Sequence, residues 1–381
     1  MIKKNTFHGR SATGPNSQKG AAILVTVILM FTLVSSITIY TTKVVSSNNR
    51  IALNGQNKQL ATVAAESGAM YAYALLAKTP NWDGSVLTET LPDGSTFSVS
   101  GVRQNVRRAS STVRVIDITS IGVSPDGLGN ETIREQAFQY SVVANPPDVP
   151  LIVAGGINVS GNFEVAANPN GGGTGVPLSI WTDSTVDMNN GSGTTCGQYE
   201  FQSGQCSSRP YSEKGFKNTD ILDNDPSFPA DMMEYLFNTP SDDWATVRAD
   251  ANVITNSCAS LGAASTGLIW VEGSCNLNAG TVVGSISNPV VLVVADSDIN
   301  LNGGAEINGM VFSFRKPGTL SDFEIDMNGG ALVNGIVASN HPVGHANGSF
   351  NSVFNADVVN NLQVNDAFQR IARIPGSWRD F

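Results

Sequence analysis

The sequence has little charge. Asp, Glu, Lys and Arg make up 14% of its 381 residues, Lys and Arg are absent from 249 to 314, and there are three histidines. The net charge is −10. A nucleic-acid binder needs a basic footprint, so this balance argues against nucleic acid as a partner. No Gly-x-Ser-x-Gly, P-loop or dinucleotide fingerprint occurs. The four cysteines include no Cys-x-x-Cys and have no histidine near them, which argues against zinc. The first twenty residues lack acids but hold Lys3, Lys4, Arg10 and Lys19, so the rest of the chain is more negative than the whole. Glycine, in contrast, is plentiful at 38 residues, as expected of a turn-rich β protein. The length suits two or three domains.

The organising stretch is AAILVTVILMFTLVSSITIY, Ala21 to Tyr40, which contains no charge. Its length matches a bilayer core, about 20 residues at about 1.5 Å each. Helix-compatible sequence runs on to Lys78, where Thr79-Pro80 ends it. One helix of roughly 85 Å is expected over 21–78. Its first half is apolar all round. Its second half offers Ile51, Leu53, Leu60, Val63, Ala64, Met70, Ala74 and Leu75 as packing positions. Glu66 reads either as a subunit contact or, more simply, as part of a solvated face. A secretory signal has a shorter apolar core with its small-residue site behind it. Here the small-residue junction, Lys19-Gly20-Ala21, precedes the run.

Residues 79–145 read as a small antiparallel sheet. TFSVSGVRQ from Thr96, STVRVIDITSIGV from Ser111 and AFQYSVV from Ala137 alternate with period two. Pro92-Asp93-Gly94 and Pro125-Asp126-Gly127 supply turns. Arg103, Arg107 and Arg108 form a basic cluster, read as a solvated hairpin loop rather than a contact for an acidic partner. Asn145-Pro146-Pro147-Asp148-Val149-Pro150 is a stiff linker at 146–150.

Residues 151–381 carry an internal repeat. Ile157-Asn158-Val159-Ser160-Gly161-Asn162 returns from Val186, Cys275, Ile299 and Ile325, with starts 29, 89, 24 and 26 residues apart. A period of 24–29 with Asn/Gly turns is expected of a β-solenoid, with an insertion over about 192–264 filling the long gap. Positions one and three would point inward, and position two, always Asn or Asp, would stack into a ladder. The insertion holds two short helical stretches, Pro229–Phe237 and Asp242–Val247. A capping helix is expected over Asn365–Arg373. The fold class is therefore α+β: a long helix, a small antiparallel sheet, then a β-solenoid.

Four cysteines allow three pairings. Cys196–Cys206 with Cys258–Cys275 closes the shortest loops and is the expected choice, with buried free thiols as the alternative. Cys275 occupies an inward repeat position, which conflicts with a bridge to Cys258 unless that coil is distorted.

Candidate chemistry is sparse. Asp187, Asp296, Asp298, Asp322, Glu324 and Asp326 lie near repeat turns, but the basic residue that a lyase-like solenoid enzyme needs is missing from the facing stretch. Asp220, Asp223, Asn224 and Asp225 lack the Gly and distal Glu of an EF-hand loop. His341 and His345 are read as a solvent loop. No enzyme activity, metal or cofactor is expected.

The arrangement KG|AAILV, followed by AAESG some forty residues later, resembles the N-terminus of PilX-like minor pilins of type IV pili, and the related minor pseudopilins of type II secretion share the layout. The resemblance covers residues 18–78 and is looser beyond. It implies a leader over 1–20, cleavage by a prepilin peptidase between Gly20 and Ala21, and N-methylation of Ala21. It also implies an inner-membrane stage with a periplasmic body, then a pilus fibre containing other minor and major pilins. Major pilins carry Glu at the fifth mature position, where it is held to pair with a neighbour's N-terminal amine. Here that position is Val25. A buried lone charge is costly, and a subunit with none ahead of it has no need of the Glu. This suggests a place at the fibre tip or in the initiation complex, with a tip adhesin as a further partner. A membrane-anchored surface adhesin or carbohydrate-binding β-helix protein is the alternative.

Overall fold

The computed structural model describes residues 18–108, 111–158, 161–189, 191–343 and 349–380. Leader residues 1–17, the repeat residues Val159, Ser160 and Asn190, and His345 lie outside the described residues, as do the side chains of Arg107 and Arg108.

Helix α1, Gln18–Lys78, is a single helix of 61 residues. The Thr79 amide donates to the Leu75 carbonyl, and Pro80 ends the run. The apolar first half stands free. In the second half Ala61, Ala64, Ala65, Ala69, Ala72 and Leu76 are buried. This stripe differs from the expected one: Ile51, Leu53, Val63 and Met70 are exposed. The sheet approaches too closely for large side chains. A Cβ built at Gly122 would fall on the Ala61 carbonyl and the Ala65 amide, and one at Gly129 on the Asn57 carbonyl.

The sheet beneath comprises β1 (Leu87–Thr90), β2 (Thr96–Arg108), β3 (Ser111–Val123) and β4 (Asn130–Ser141), all antiparallel. The expected meander is present, but it gains a fifth strand from the far end of the chain. Gln369–Arg373 pairs antiparallel with β4, with Gln369 opposite Ser141 and Arg373 opposite Ala137. The expected capping helix over 365–373 is therefore corrected. The helix is Ala356–Val364, capped by Asn355, whose side chain accepts from Asp357 and Val358 amides. After it the short polar alternation of QRIAR completes the sheet. Everything between Ser141 and Gln369 is thus inserted between two paired strands.

That insert is a stack of parallel coils. On its longest wall the strands lie in the order Val253–Thr255, Gly267–Val271, Val290–Ala295, Glu306–Phe314, Leu332–Ser339, Leu151–Val153, Ile180–Thr182 and Ile221–Leu222. The first coil in sequence sits mid-stack. The chain builds outward to one end, crosses to the other, and coils back until Val337 lies beside Leu151. A second wall carries the repeat unit, with Cys275, Ile299 and Ile325 in register and Asn276, Asn300 and Asp326 stacked beside them.

The apolar positions one and three of the repeat fill the bore. Leu277, Ile299, Leu301, Ile325 and Met327 meet Ile269, Leu292, Val311 and Val337 there. The longest wall is buried on both faces, which explains continuous runs such as VVLVV. Its outer residues, among them Trp270, Val291, Phe312 and Ile336, are covered by Met233, Leu236, Phe237 and Val247. Those belong to helices Met232–Phe237 and Trp244–Ala249 of the crossing segment. The insertion is shorter than 192–264, since Ser192–Cys196 and Ile221–Leu222 are rungs of the stack.

Candidate functional site

The stem is defined by exposure. Gly20 and Ala21 lie in the first turns of α1 and are exposed, and no atom lies within 4 Å of a Cβ built at Gly20. Val25 is 54% exposed, and its apolar neighbours, from Ile23 at 64% to Phe31 at 73%, are equally open. The helix is long and apolar enough to cross a membrane, and none of its apolar window is buried against the rest of the chain. Side chains of this kind need a lipid or protein covering. Glu66 is exposed, outside the buried alanine stripe.

Cys196 is bonded to Cys206 and Cys258 to Cys275. The two bridges sit at opposite ends of the coil stack. Cys258 belongs to the loop that closes the bore, with Leu261 in the same apolar cluster, so its sulfur meets the inward Cys275 without distortion of the coil.

The acids are accounted for locally. Asp298 accepts the Glu324 amide at 2.9 Å. Asp296 accepts the Lys316 amide, and Asp322 binds Arg315. Asp220 is buried and accepts hydroxyls from Ser179, Thr195 and Ser212, whereas Asp223 takes Lys217 and Asp225 takes the Trp181 indole. These carboxylates do not converge. Among the described residues no group of three or more His, Cys, Asp or Glu is placed to hold a metal ion.

Two readings from the sequence change. His341 is not in a solvent loop. It is 1% exposed, its Nε2 lies 2.9 Å from the Ser313 hydroxyl, and burial pushes its pKa below the usual value. Arg103 is a structural hub rather than a solvated loop residue. It donates to the carbonyls of Pro80 and Trp82, beyond the end of α1, and to Gln139 Oε1 at 3.1 Å. Neither role had a sequence signal beyond the residue type.

No family model matches the chain, and no curated protein matches it. Among solved structures, the chain is similar to the competence-associated pilin ComZ from Thermus thermophilus. The identity is 12%, over 85% of this chain and 97% of that one, with a TM-score of 0.24.

Proposed function

We propose that this chain is a minor pilin of the PilX type that takes part in type IV pilus assembly, at the fibre tip or in the initiation complex. One observation carries the reading: the exposed apolar half of α1 continues unbroken into the alanine-faced half that docks on the sheet. A lone anchor needs only a span. A fibre subunit needs its span and its folded body on one rigid rod, so that packing one places the other. Cleavage after Gly20 and methylation of Ala21 would leave the apolar segment first, to pack with other minor and major pilins. Before assembly the chain would sit in the inner membrane with its body in the periplasm. The coil stack would then be displayed at the tip for adhesion or partner binding, with no catalytic role.

The competing reading is a membrane-anchored surface adhesin or carbohydrate-binding protein that never enters a fibre, since the same apolar helix would also serve as its anchor. Sequencing and weighing the N-terminus of the protein from membranes separates them. A start at Ala21, and loss of pili in a deletion strain, are expected. A retained Met1 start, or cleavage behind the apolar run, would overturn the pilin reading. Even spacing of labelled protein along purified fibres would remove the tip position alone.

A further inference from the structure

Lys43, Arg50 and Lys58 follow the apolar run on α1, and the fold treats them differently. Lys58 lies where the sheet reaches the helix, and its ammonium meets Glu131 at 3.6 Å. Beside it Asn57 donates to Asp126 at 2.6 Å. Lys43 and Arg50 lie nearer the apolar run, in a stretch where every residue from 36 to 56 is exposed. Among the described residues neither has an ion-pair partner. Their own end of the helix cannot supply one, because the first carboxylate in the chain is Glu66.

The two cations are two turns apart, so they share one helix face, about 10 Å from each other along the axis. Ser46 and Ser47 lie on the same surface between them. Lower on the helix, the hydroxyls of Thr38, Thr41 and Thr42 are turned back onto the carbonyls of Val34, Ile37 and Thr38. Among the described residues those of Ser46 and Ser47 make no such bond, which leaves them to donate outward.

Depth along the helix says what this face meets. The uncharged run ends at Tyr40, whose ring is 70% exposed, and an aromatic ring at the end of a span belongs at headgroup level. With Ala21–Tyr40 filling the hydrocarbon layer, Lys43 stands about 4.5 Å above it, inside a headgroup layer of about 5–8 Å. The Arg50 backbone is about 15 Å above it. Helix side chains lean toward the N-terminus, so the guanidinium reaches back to the outer surface of that layer. A phosphodiester set between the two would take charge-assisted bonds from both cations and hydroxyl bonds from the serines.

We infer that the face formed by Lys43, Ser46, Ser47 and Arg50 binds the phosphate headgroup of an anionic phospholipid, on the outer side of the membrane that α1 spans. Position and charge together choose the occupant: a headgroup phosphate carries the charge this face lacks, and it lies where the lipid covering of the apolar half ends. Held there, the helix is fixed in depth and in rotation, and the sheet and coil stack are carried at a set angle to the bilayer. The inference rests on the membrane stage of the reading above, and it holds for a lone anchor as well as for a fibre subunit.

The test places the full chain in phosphatidylcholine nanodiscs doped with a headgroup-photoreactive lipid, either phosphatidylglycerol or phosphatidylcholine. Cross-links are mapped by peptide mass spectrometry, which separates those at 38–50 from those at the leader cations. Phosphatidylglycerol is expected to label 38–50 well above phosphatidylcholine. Labelling should fall about five-fold in Lys43→Gln, and further in the Lys43→Gln, Arg50→Gln double variant. Lys58→Gln, whose cation already has Glu131, should leave it unchanged. The substituted side chains are exposed, so each variant should insert and keep the helicity of the parent. Equal labelling by the two lipids, or in the parent and the double variant, would overturn the inference and leave the span standing. An equal loss in Lys58→Gln would do the same. A parent chain that fails to enter the nanodiscs would overturn the span itself, and this inference with it.

Discussion

Phe350 stacks on Phe163, ring centroids 5.1 Å apart and planes 14° apart. The pair closes the seam of the coil stack, because Ser349–Val353 comes late in the chain and Asn162–Ala166 early, yet the two strands are parallel neighbours. Val337 beside Leu151 and Val343 beside Ile157 complete the join on the other walls. The stack therefore has no chain end at either cap, and its weakest continuity lies in the middle. Phe350→Ala should cost about 3–5 kcal/mol, the usual range for a buried phenylalanine. Thermal melting of the single and double variants checks this. The Phe163→Ala, Phe350→Ala double variant should cost clearly less than the sum, since the two rings share one contact.

The docking of α1 depends on the absence of a side chain at Gly122. Gly122→Ala would drive a methyl group into the backbone of the helix at Ala61 and Ala65, costing about 1–3 kcal/mol or detaching the helix. Gly55→Ala, in the same helix but with no atom within 4 Å, should instead stabilise by up to about 1 kcal/mol. Hydrogen exchange across 57–76 distinguishes the two. Equal protection in both variants would contradict this account of the interface.

Each end of the stack is held by one bridge. Cys258–Cys275 closes a separation of 17 residues, and replacing both by serine should lower stability by about 3 kcal/mol on a chain-entropy view. The first protection lost should be at Val253–Thr255 and the bore-closing loop, with the coils at Cys196 unaffected. A uniform loss along the stack would show that the bridge does not act locally.

His341 makes the seam sensitive to acid. It lies between the Ser313 hydroxyl and the Pro342 carbonyl with Phe323 at its edge, near the charges of Arg315, Asp322 and Asp296. Burial is the leading cause that lowers its folded-state pKa. The unfolded chain therefore takes up its proton first as pH falls. Stability should decline as pH drops below about 6.5, the unfolded value, and level off beneath the folded value. Urea midpoints from about pH 7.5 to about pH 5 test this, with His341→Gln expected to flatten the slope.

What could be read in the sequence was whatever repeated. The uncharged run from Ala21, the period-two strands and the apolar-Asn-apolar unit each impose a pattern that one wall or one lipid-like surrounding enforces. What could not be read was what depends on closeness or on order. The buried stripe of α1 is alanine, so it has no hydrophobic period. The repeat gives a coil's length but not its place, and nothing in the unit at Ile157 says that it stacks between coils that come later. His341 and Arg103 gained their roles from distant partners. QRIAR is a short strand with three polar residues in five, and only the open edge of β4 gives it a reason to extend.

That last strand has a mechanical consequence. Arg373 reaches both oxygens of Glu135 at 3.0 and 2.9 Å and lies over the Tyr73 ring, 4.7 Å from its centroid. Burial, reinforced by Glu135, pushes the Tyr73 phenol up to about 12. The C-terminal strand thus ties α1, β4 and the coil stack together. Without it the stack would be joined to the sheet only through the end of β4 and the segment after it, where Ser141 donates to the Leu362 carbonyl and Ala144 to the Leu236 carbonyl, so that 146–150, expected as a free-standing linker, is packed against the stack, with Val149 buried. Arg373→Ala should cost only about 1–2 kcal/mol, because the guanidinium is half exposed and its pairing is screened, while Glu135 is left buried without its cation. Deleting residues 369–380 should do more: β4 becomes an edge, and the stack gains freedom to pivot. Distance distributions between spin labels on β3 and on the coil stack should stay narrow in Arg373→Ala and broaden on truncation. If they remain narrow in both, the interface beside the linker fixes the geometry by itself, and the second tether serves the sheet rather than the display of the stack.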